Sequence, residues 1–280
     1  MRRAWSVMAA ALLLAACTGP AEPDGAAPSP GPALTRAAGV DLPAGDTTVE
    51  LDGGPRTYTV HVPETLGGPA PLVLALHPLS GSGAQLQALS GWDDLADAEG
   101  FVVVYPDGIG GSWNAGGCCG AAVQQQVDDV AFLTAVLVQV EASLDIDPDR
   151  VYVTGFSNGA MMSYRLACET SRFAALAPVG GDLRVPCADP QPASVLHVHG
   201  LADSVVPFQS SDTPWLEAGE CGEAVATAVG PVHTSTAACA DDRTVEVVTL
   251  TGVGHVWPST ADGFDTLSAV WAFFEEHPAP

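Results

Sequence analysis

A serine set between two glycines, Gly155-Phe156-Ser157-Asn158-Gly159, is the segment of this chain best suited to covalent chemistry. A serine hydroxyl attacks a carbonyl only when a neighbouring base takes its proton and a third group orients that base. The apolar run at 151–154 leads directly into the segment, and a helical pattern follows from Ala160 to Cys168. Strand, sharp glycine turn and helix in that order leave the serine exposed at a strand end. A serine that merely capped the helix would be the simpler alternative. Further along, Asp203 follows the run at 195–198 and His255 follows the run at 245–250, so an acid and a base stand on successive strand-end loops. Asp182, Asp189 and Asp212 are rival acids, but none follows a strand at a comparable distance.

The elements that must position these groups are short, nearly continuous apolar runs at 71–76, 101–105, 151–154, 174–179, 195–198 and 245–250, the pattern of strands buried on both faces. Helical patterns lie between them. One places Val130, Leu133, Leu137, Val140 and Leu144 on a single face after Asp128 and Asp129, and the last places Phe264, Leu267, Trp271 and Phe274 on another. Two alternating segments at 47–51 and 57–62, separated by Asp52-Gly53-Gly54-Pro55, predict an N-terminal antiparallel hairpin. The fold class expected is α/β, a mostly parallel central sheet with helices on both faces, in which ligands bind beyond the carboxyl ends of the strands. The α/β-hydrolase fold has this architecture, and its chain order of serine, acid and histidine is the order met here. That fold takes one N–H for the developing oxyanion from the residue after the serine, here Asn158, and one from the loop after an early strand, here 77–83. Pro78 has no N–H, so Leu79 is the second candidate. Loss of one such donor typically costs about 3 to 4 kcal/mol of transition-state stabilisation.

The remaining histidines invite other chemistry. His197 and His199 alternate on a strand and share a face, which could suit a metal, but no third ligand lies nearby in sequence. They are expected to pack or hydrogen-bond near the site, and neither metal nor cofactor is expected. His61, His233 and His277 read as surface or loop residues, and His77 as a residue that shapes the loop after it. Trp113 and Trp257 stand in loops near the expected site, where each could serve a phenolic or sugar group as an aromatic platform or simply pack.

Composition limits the partners. Nine arginines, no lysine and 33 acidic residues give the 280-residue chain a formal charge of -24, which argues against nucleic acid as a partner. Charged residues are 15% and apolar residues 47%, so the bulk of the chain is expected to fold. Arg2, Arg3 and the apolar stretch at 7–16 read as an export signal over residues 1–16, too short for a membrane span. It ends in Leu14-Ala15-Ala16-Cys17, similar to a bacterial lipobox, so Cys17 is the expected lipidation site and a lipid anchor the expected link to the membrane. Removing that signal gives 7 − 33 = −26. An Ala/Pro/Gly-rich tether at 17–45 then leads to a catalytic domain at 46–280, expected to act as a monomer. Six further cysteines, Cys118, Cys119, Cys168, Cys187, Cys221 and Cys239, predict three disulfides in an exported protein. Cys221 with Cys239 is favoured by proximity, worth roughly 3 kcal/mol in the loop-entropy account. Adjacent Cys118 and Cys119 are expected to bond to different partners, because a bridge between neighbours would strain the peptide joining them.

Four segments carry a resemblance to a known family: Gly-Phe-Ser-Asn-Gly-Ala-Met-Met-Ser-Tyr-Arg-Leu-Ala-Cys-Glu at 155–169, Trp-Asn-Ala-Gly-Gly-Cys-Cys-Gly at 113–120, Val-Asp-Asp-Val at 127–130 and Gly-His-Val-Trp-Pro at 254–258. They are similar to the secreted esterases grouped as polyhydroxybutyrate depolymerases and feruloyl esterases. The resemblance spans about residues 47–277 and implies a Ser157, Asp203, His255 triad acting on hydroxyalkanoate oligomers or on feruloyl or acetyl esters of plant polysaccharide. Pro78 departs from the glycine usual after the histidine in such sequences. The alternatives are a catalytically silent cell-surface binding lipoprotein on the same scaffold and a serine peptidase of the same fold.

Overall fold

The computed structural model describes residues 39–51, 56–188 and 190–280. The expected signal, Cys17, most of the tether, the hairpin turn at 52–55 and the rival acid Asp189 lie outside the described residues. Ten strands form one sheet: β1 (Gly45–Glu50), β2 (Thr57–Val62), β3 (Ala70–Leu76), β4 (Val102–Pro106), β5 (Ile146–Phe156), β6 (Ala175–Val179), β7 (Ser194–Gly200), β8 (Val225–Val229), β9 (Val232–Ala238) and β10 (Thr244–Leu250). Their spatial order is β1-β2-β4-β3-β5-β6-β7-β10-β9-β8. The centre, from β4 to β10, is parallel. β1 and β2 pair antiparallel at one edge, with Glu50 opposite Thr57, and β9 and β8 add antiparallel strands at the other.

The apolar runs form the central strands because both faces are covered. Alternate side chains of a strand point to opposite faces, and β3 divides accordingly. Leu72, Leu74 and Leu76 join Leu133, Val136 and Val140 of α4 (Asp129–Ser143) and Met161 and Met162 of α5 (Asn158–Glu169). Val73 and Ala75 join Trp92 and Ala96 of α2 (Trp92–Glu99) and Trp271 and Phe274 of α7 (Thr266–Glu276). Within the second layer Phe101 stacks on Trp271, with ring centroids 3.8 Å apart, and Tyr152 on Phe274, 4.6 Å apart. The buried face of α4 is Phe132, Leu133, Val136, Leu137 and Val140, turned slightly from the face its sequence pattern indicates. Asp128 caps that helix through the Ala131 N–H, 3.0 Å away. Shorter helices α1 (Gly83–Ser90), α3 (Gly120–Gln124) and α6 (Thr213–Ala218) complete the set.

Three features depart from the sequence-based expectation. β8 and β9 are strands that no apolar run announces: β9 reads Val-His-Thr-Ser-Thr-Ala-Ala, and β8 is exposed at every residue. His61 is a buried residue of β2, with Nδ1 2.7 Å from Asp46 Oδ1 and Nε2 3.1 Å from Asp97 Oδ1, because β1 and α2 bring carboxylates over its face. The cysteines pair as Cys221 with Cys239, Cys168 with Cys187, and Cys118 with its neighbour Cys119. The last pair corrects the expectation of separate partners. Cys168, at the end of α5, is committed to Cys187, and the peptide joining Cys118 to Cys119 is cis.

Candidate active site

Ser157 sits where β5 ends and α5 begins. Its backbone has φ 55° and ψ −115°, a conformation that non-glycine residues rarely adopt and that costs on the order of 1 to 3 kcal/mol. The turn is possible because both flanking glycines lie against backbone: a Cβ on Gly155 would stand 2.5 Å from Gly159 C, and one on Gly159 would stand 2.1 Å from Leu76 O. Ser157 N–H donates to Val179 O at 2.9 Å, tying the turn to β6.

The structure brings Ser157, His255 and Asp203 together. His255 Nε2 is 2.9 Å from Ser157 Oγ, and His255 Nδ1 is 2.6 Å from Asp203 Oδ2. Asp203 Oδ1 accepts the N–H groups of Val205 and Val206 at 2.9 and 2.8 Å. A carboxylate, which only accepts, requires that His255 carry its hydrogen on Nδ1, leaving Nε2 free to accept from the serine hydroxyl. Burial alone would raise the Asp203 carboxyl, but the Val206 N–H, His255 and the Val205 N–H outweigh it and hold the group below the ordinary aspartate range. With a folded value below the unfolded one, the stability this carboxylate contributes is present above about pH 4 and lost as the pH falls through the folded value. The urea midpoint of Asp203→Asn is therefore expected to lie below that of the unaltered protein at pH 6, by a gap that narrows as the pH falls below about 4. A gap that does not narrow on acidification would contradict this. The rival acids are otherwise engaged, Asp182 with Arg184 at 2.6 Å and Asp212 with the Ser210 hydroxyl.

The candidate oxyanion donors flank the serine from two elements. Asn158 is the first residue of α5, where a helix leaves its N–H groups unpaired. Leu79 N–H has no acceptor among the described residues, whereas the next amide, Ser80 N–H, is taken by Gly111 O at 2.7 Å. His77 shapes this loop from beneath: Nδ1 is 2.8 Å from Pro78 O, and Nε2 accepts the Gly108 N–H at 2.9 Å. Burial pushes its imidazole down, so it stays neutral and keeps that pair of bonds.

Trp113 is fully buried and offers no platform to a ligand. Its Nε1–H donates to His77 O at 2.9 Å, and its backbone N–H and C=O hold the Asn158 side chain at 2.7 and 3.1 Å. It thus clamps both segments that carry the candidate oxyanion donors at once, a role that sequence does not reveal because its partners lie 36 and 45 residues away. Its own loop is pinned by Asp129, whose Oδ2 accepts Asn114 N–H at 2.7 Å while Oδ1 faces Arg56 Nη2 at 2.7 Å. Trp257 is half-buried and lines a cavity of about 810 Å³. Ser157 and His255 are not among the lining residues, but Phe156, Pro78 and Leu79 are, and the walls are mainly apolar, with Leu86 and Leu267 among them.

Residues 90–185, which include the serine turn, match the model of the prolyl oligopeptidase family. "Putative esterase NocK" of Nocardia uniformis subsp. tsuyamanensis is 32% identical over 311 aligned positions, covering 92% of this chain and 90% of that protein. "Feruloyl esterase B" of Piromyces equi is 33% identical over 150 positions, covering 50% of this chain and only 27% of that protein. Among solved structures, an acetyl xylan esterase from Aspergillus awamori superposes with a TM-score of 0.67 at 20% identity, over 83% of this chain and all of that one, a likeness of fold. With the NocK relative aligned over nearly its whole length, the chain belongs to the α/β-hydrolase esterase family.

Proposed function

We propose that this protein is an exported serine carboxylic-ester hydrolase in which Ser157 is the nucleophile, His255 the general base and Asp203 the orienting acid. The observation that carries this reading is the unbroken chain of hydrogen bonds from Asp203 through His255 to Ser157. His255 Nε2 takes the Ser157 proton as Oγ bonds to the ester carbonyl carbon. The N–H groups of Leu79 and Asn158 receive the oxyanion. The tetrahedral intermediate expels the alcohol, which leaves with the proton from His255. Water then repeats the sequence on the acyl-enzyme, giving the acid and free Ser157. No step calls for a cofactor. Three disulfides among the described residues fit an oxidising compartment, and lipidation at Cys17 would hold the enzyme at the membrane face.

Of the ester classes, aryl acyl esters of the feruloyl type fit best. A cavity of about 810 Å³ with mainly apolar walls and the Trp257 indole suits a planar aromatic group, whereas an acetyl group would leave most of it empty. Methyl ferulate, acetylated xylan and hydroxybutyrate oligomers compared in one hydrolysis panel test this. The highest kcat/KM is expected for methyl ferulate, and Trp257→Ala is expected to raise its KM roughly threefold to tenfold. Faster turnover of the acetyl or hydroxybutyrate substrate would overturn the assignment. The match to the prolyl oligopeptidase family supports a second reading, a serine peptidase. Matched ester and amide substrates separate the two, and cleavage of the amide at a comparable rate would favour the peptidase. Absence of all hydrolysis, together with absence of fluorophosphonate labelling at Ser157, would leave a silent binding protein.

A further inference from the structure

His197 and His199, two residues apart on β7, both point into the layer beneath α5 and are fully buried. They belong to a continuous chain: Tyr164 Oη lies 2.8 Å from His197 Nδ1, His197 Nε2 lies 2.9 Å from His199 Nδ1, and His199 Nε2 lies 2.8 Å from Val206 O and 3.4 Å from Asp203 Oδ2. The last link sets the order of protons. Val206 O can only accept, so His199 Nε2 carries hydrogen. In the uncharged chain His199 Nδ1 must then accept from His197 Nε2–H, and His197 Nδ1 must accept from the Tyr164 hydroxyl. Each proton has one place, and every polar atom of the three side chains is used. The Phe208 ring covers both imidazoles edge-on, with centroids 5.6 and 5.5 Å away.

The two ends of this chain are informative. Tyr164 stands on α5, the helix that Ser157 immediately precedes, whereas Val206 and Asp203 belong to the loop after β7. Val206 is held on both sides: its N–H donates to Asp203 Oδ1 at 2.8 Å and its C=O accepts from His199. His199 therefore bears on the acid through the Val206 peptide, and its Nε2 also lies 3.4 Å from Oδ2. We propose that Tyr164, His197 and His199 form a buried positioning chain locking the Asp203 loop to the helix that bears Ser157, with His199 the residue that fixes the acid's placement and its pull on His255. This proposal rests on the reading of Ser157, Asp203 and His255 as the catalytic triad.

The other titratable groups facing the chain are Asp182 and Asp212, whose charges bear on Tyr164, together with Asp203 and His255 beyond its far end. Burial pushes the His197 imidazole down to about 3, with the neighbouring His199 acting in the same direction. His197 thus stays uncharged over the range in which an esterase works. The His199 N–H, bonded to Val206 O, polarises the peptide group next to the Val206 N–H that holds Asp203 Oδ1, and it also lies 3.4 Å from Oδ2. Without that N–H the carboxylate draws more strongly on the proton of His255, which must then be removed at higher pH.

The test uses the full chain with p-nitrophenyl butyrate. His199→Phe is expected to lower kcat by up to about 100-fold with KM within twofold, and to move the acid limb of the kcat/KM profile upward by about half a pH unit. His199→Gln, which restores an N–H near the Nε2 position, is expected to recover most of both. Tyr164→Phe, which removes only the first donor, is expected to give a smaller change of the same kind, and it carries the test if His199→Phe does not fold. A limb that stays in place in these variants, or a glutamine variant no better than phenylalanine, would show a packing role only and overturn the proposal. Fluorophosphonate labelling that is lost in Ser157→Ala keeps that outcome distinct from failure of the triad assignment.

Discussion

Ser157→Ala is expected to lower kcat/KM on p-nitrophenyl butyrate by about 10⁵ to 10⁶-fold, close to the full contribution of a serine triad, while the protein stays folded. The size follows from how the groups act as a unit. Without Oγ, His255 has nothing to deprotonate but water, and the Leu79 and Asn158 donors can stabilise only the oxyanion formed by direct attack of that water. Those donors and the substrate cavity would still leave a residual rate about 10³ to 10⁴-fold above that in water. The fold should not suffer, because among the described residues Oγ has a single hydrogen-bond partner, His255, and alanine meets the same backbone constraint at φ 55° that serine does. A thermal melt alongside the assay distinguishes inactivation from unfolding. A loss of only tenfold in a folded protein would mean that another group performs the attack.

Gly159→Ala is expected to be the most damaging small substitution in the site, costing upwards of about 4 kcal/mol and removing most soluble protein. The added Cβ would lie 2.1 Å from Leu76 O, 2.7 Å from Leu76 C and 2.8 Å from His77 O. None of these atoms is the end of a flexible side chain. Leu76 closes β3, which is hydrogen-bonded between β4 and β5 at the centre of the sheet, so relief requires lifting α5 and with it Ser157. Gly222 provides the comparison. A methyl group added there would meet Ala238 O at 3.7 Å, an ordinary contact, and Gly222→Ala should change stability by less than about 1 kcal/mol. Similar melting temperatures for the two variants would show that the close approach of α5 to β3 does not limit the fold.

What the sequence discloses depends on whether a residue's role is set locally or by distant partners. The six apolar runs were legible because a strand covered on both faces must be apolar at nearly every position, and the serine turn because its constraints fall within five consecutive residues. Asp203 and His255 could be placed from their strand-end positions, and the structure sets them 2.6 Å apart. β8 and β9 could not be read, since strands that extend a sheet into solvent need no buried face and here carry Thr, Ser and Ala. The burial of Trp113 and of His61 depends on loops and helices far along the chain, so neither residue type nor spacing announces it. The His197 and His199 pair was visible as a shared face, but its meaning required Tyr164, 33 residues earlier on another element.

The outer strand β8 bears on how the protein behaves in concentrated solution. Val-Ala-Thr-Ala-Val has no charge, proline or bulge to blunt its outer edge, which pairs with no further strand among the described residues, and Val225 and Val229 are 67% and 79% exposed. Such an edge is a template on which another chain can add a strand. The formal charge of -24 on the whole chain counters this by keeping molecules apart at low ionic strength. That repulsion acts over about 10 Å at 0.1 M salt and about 3 Å at 1 M, so colloidal stability here is a property of the buffer as much as of the fold, and precipitation by salt would begin at this edge.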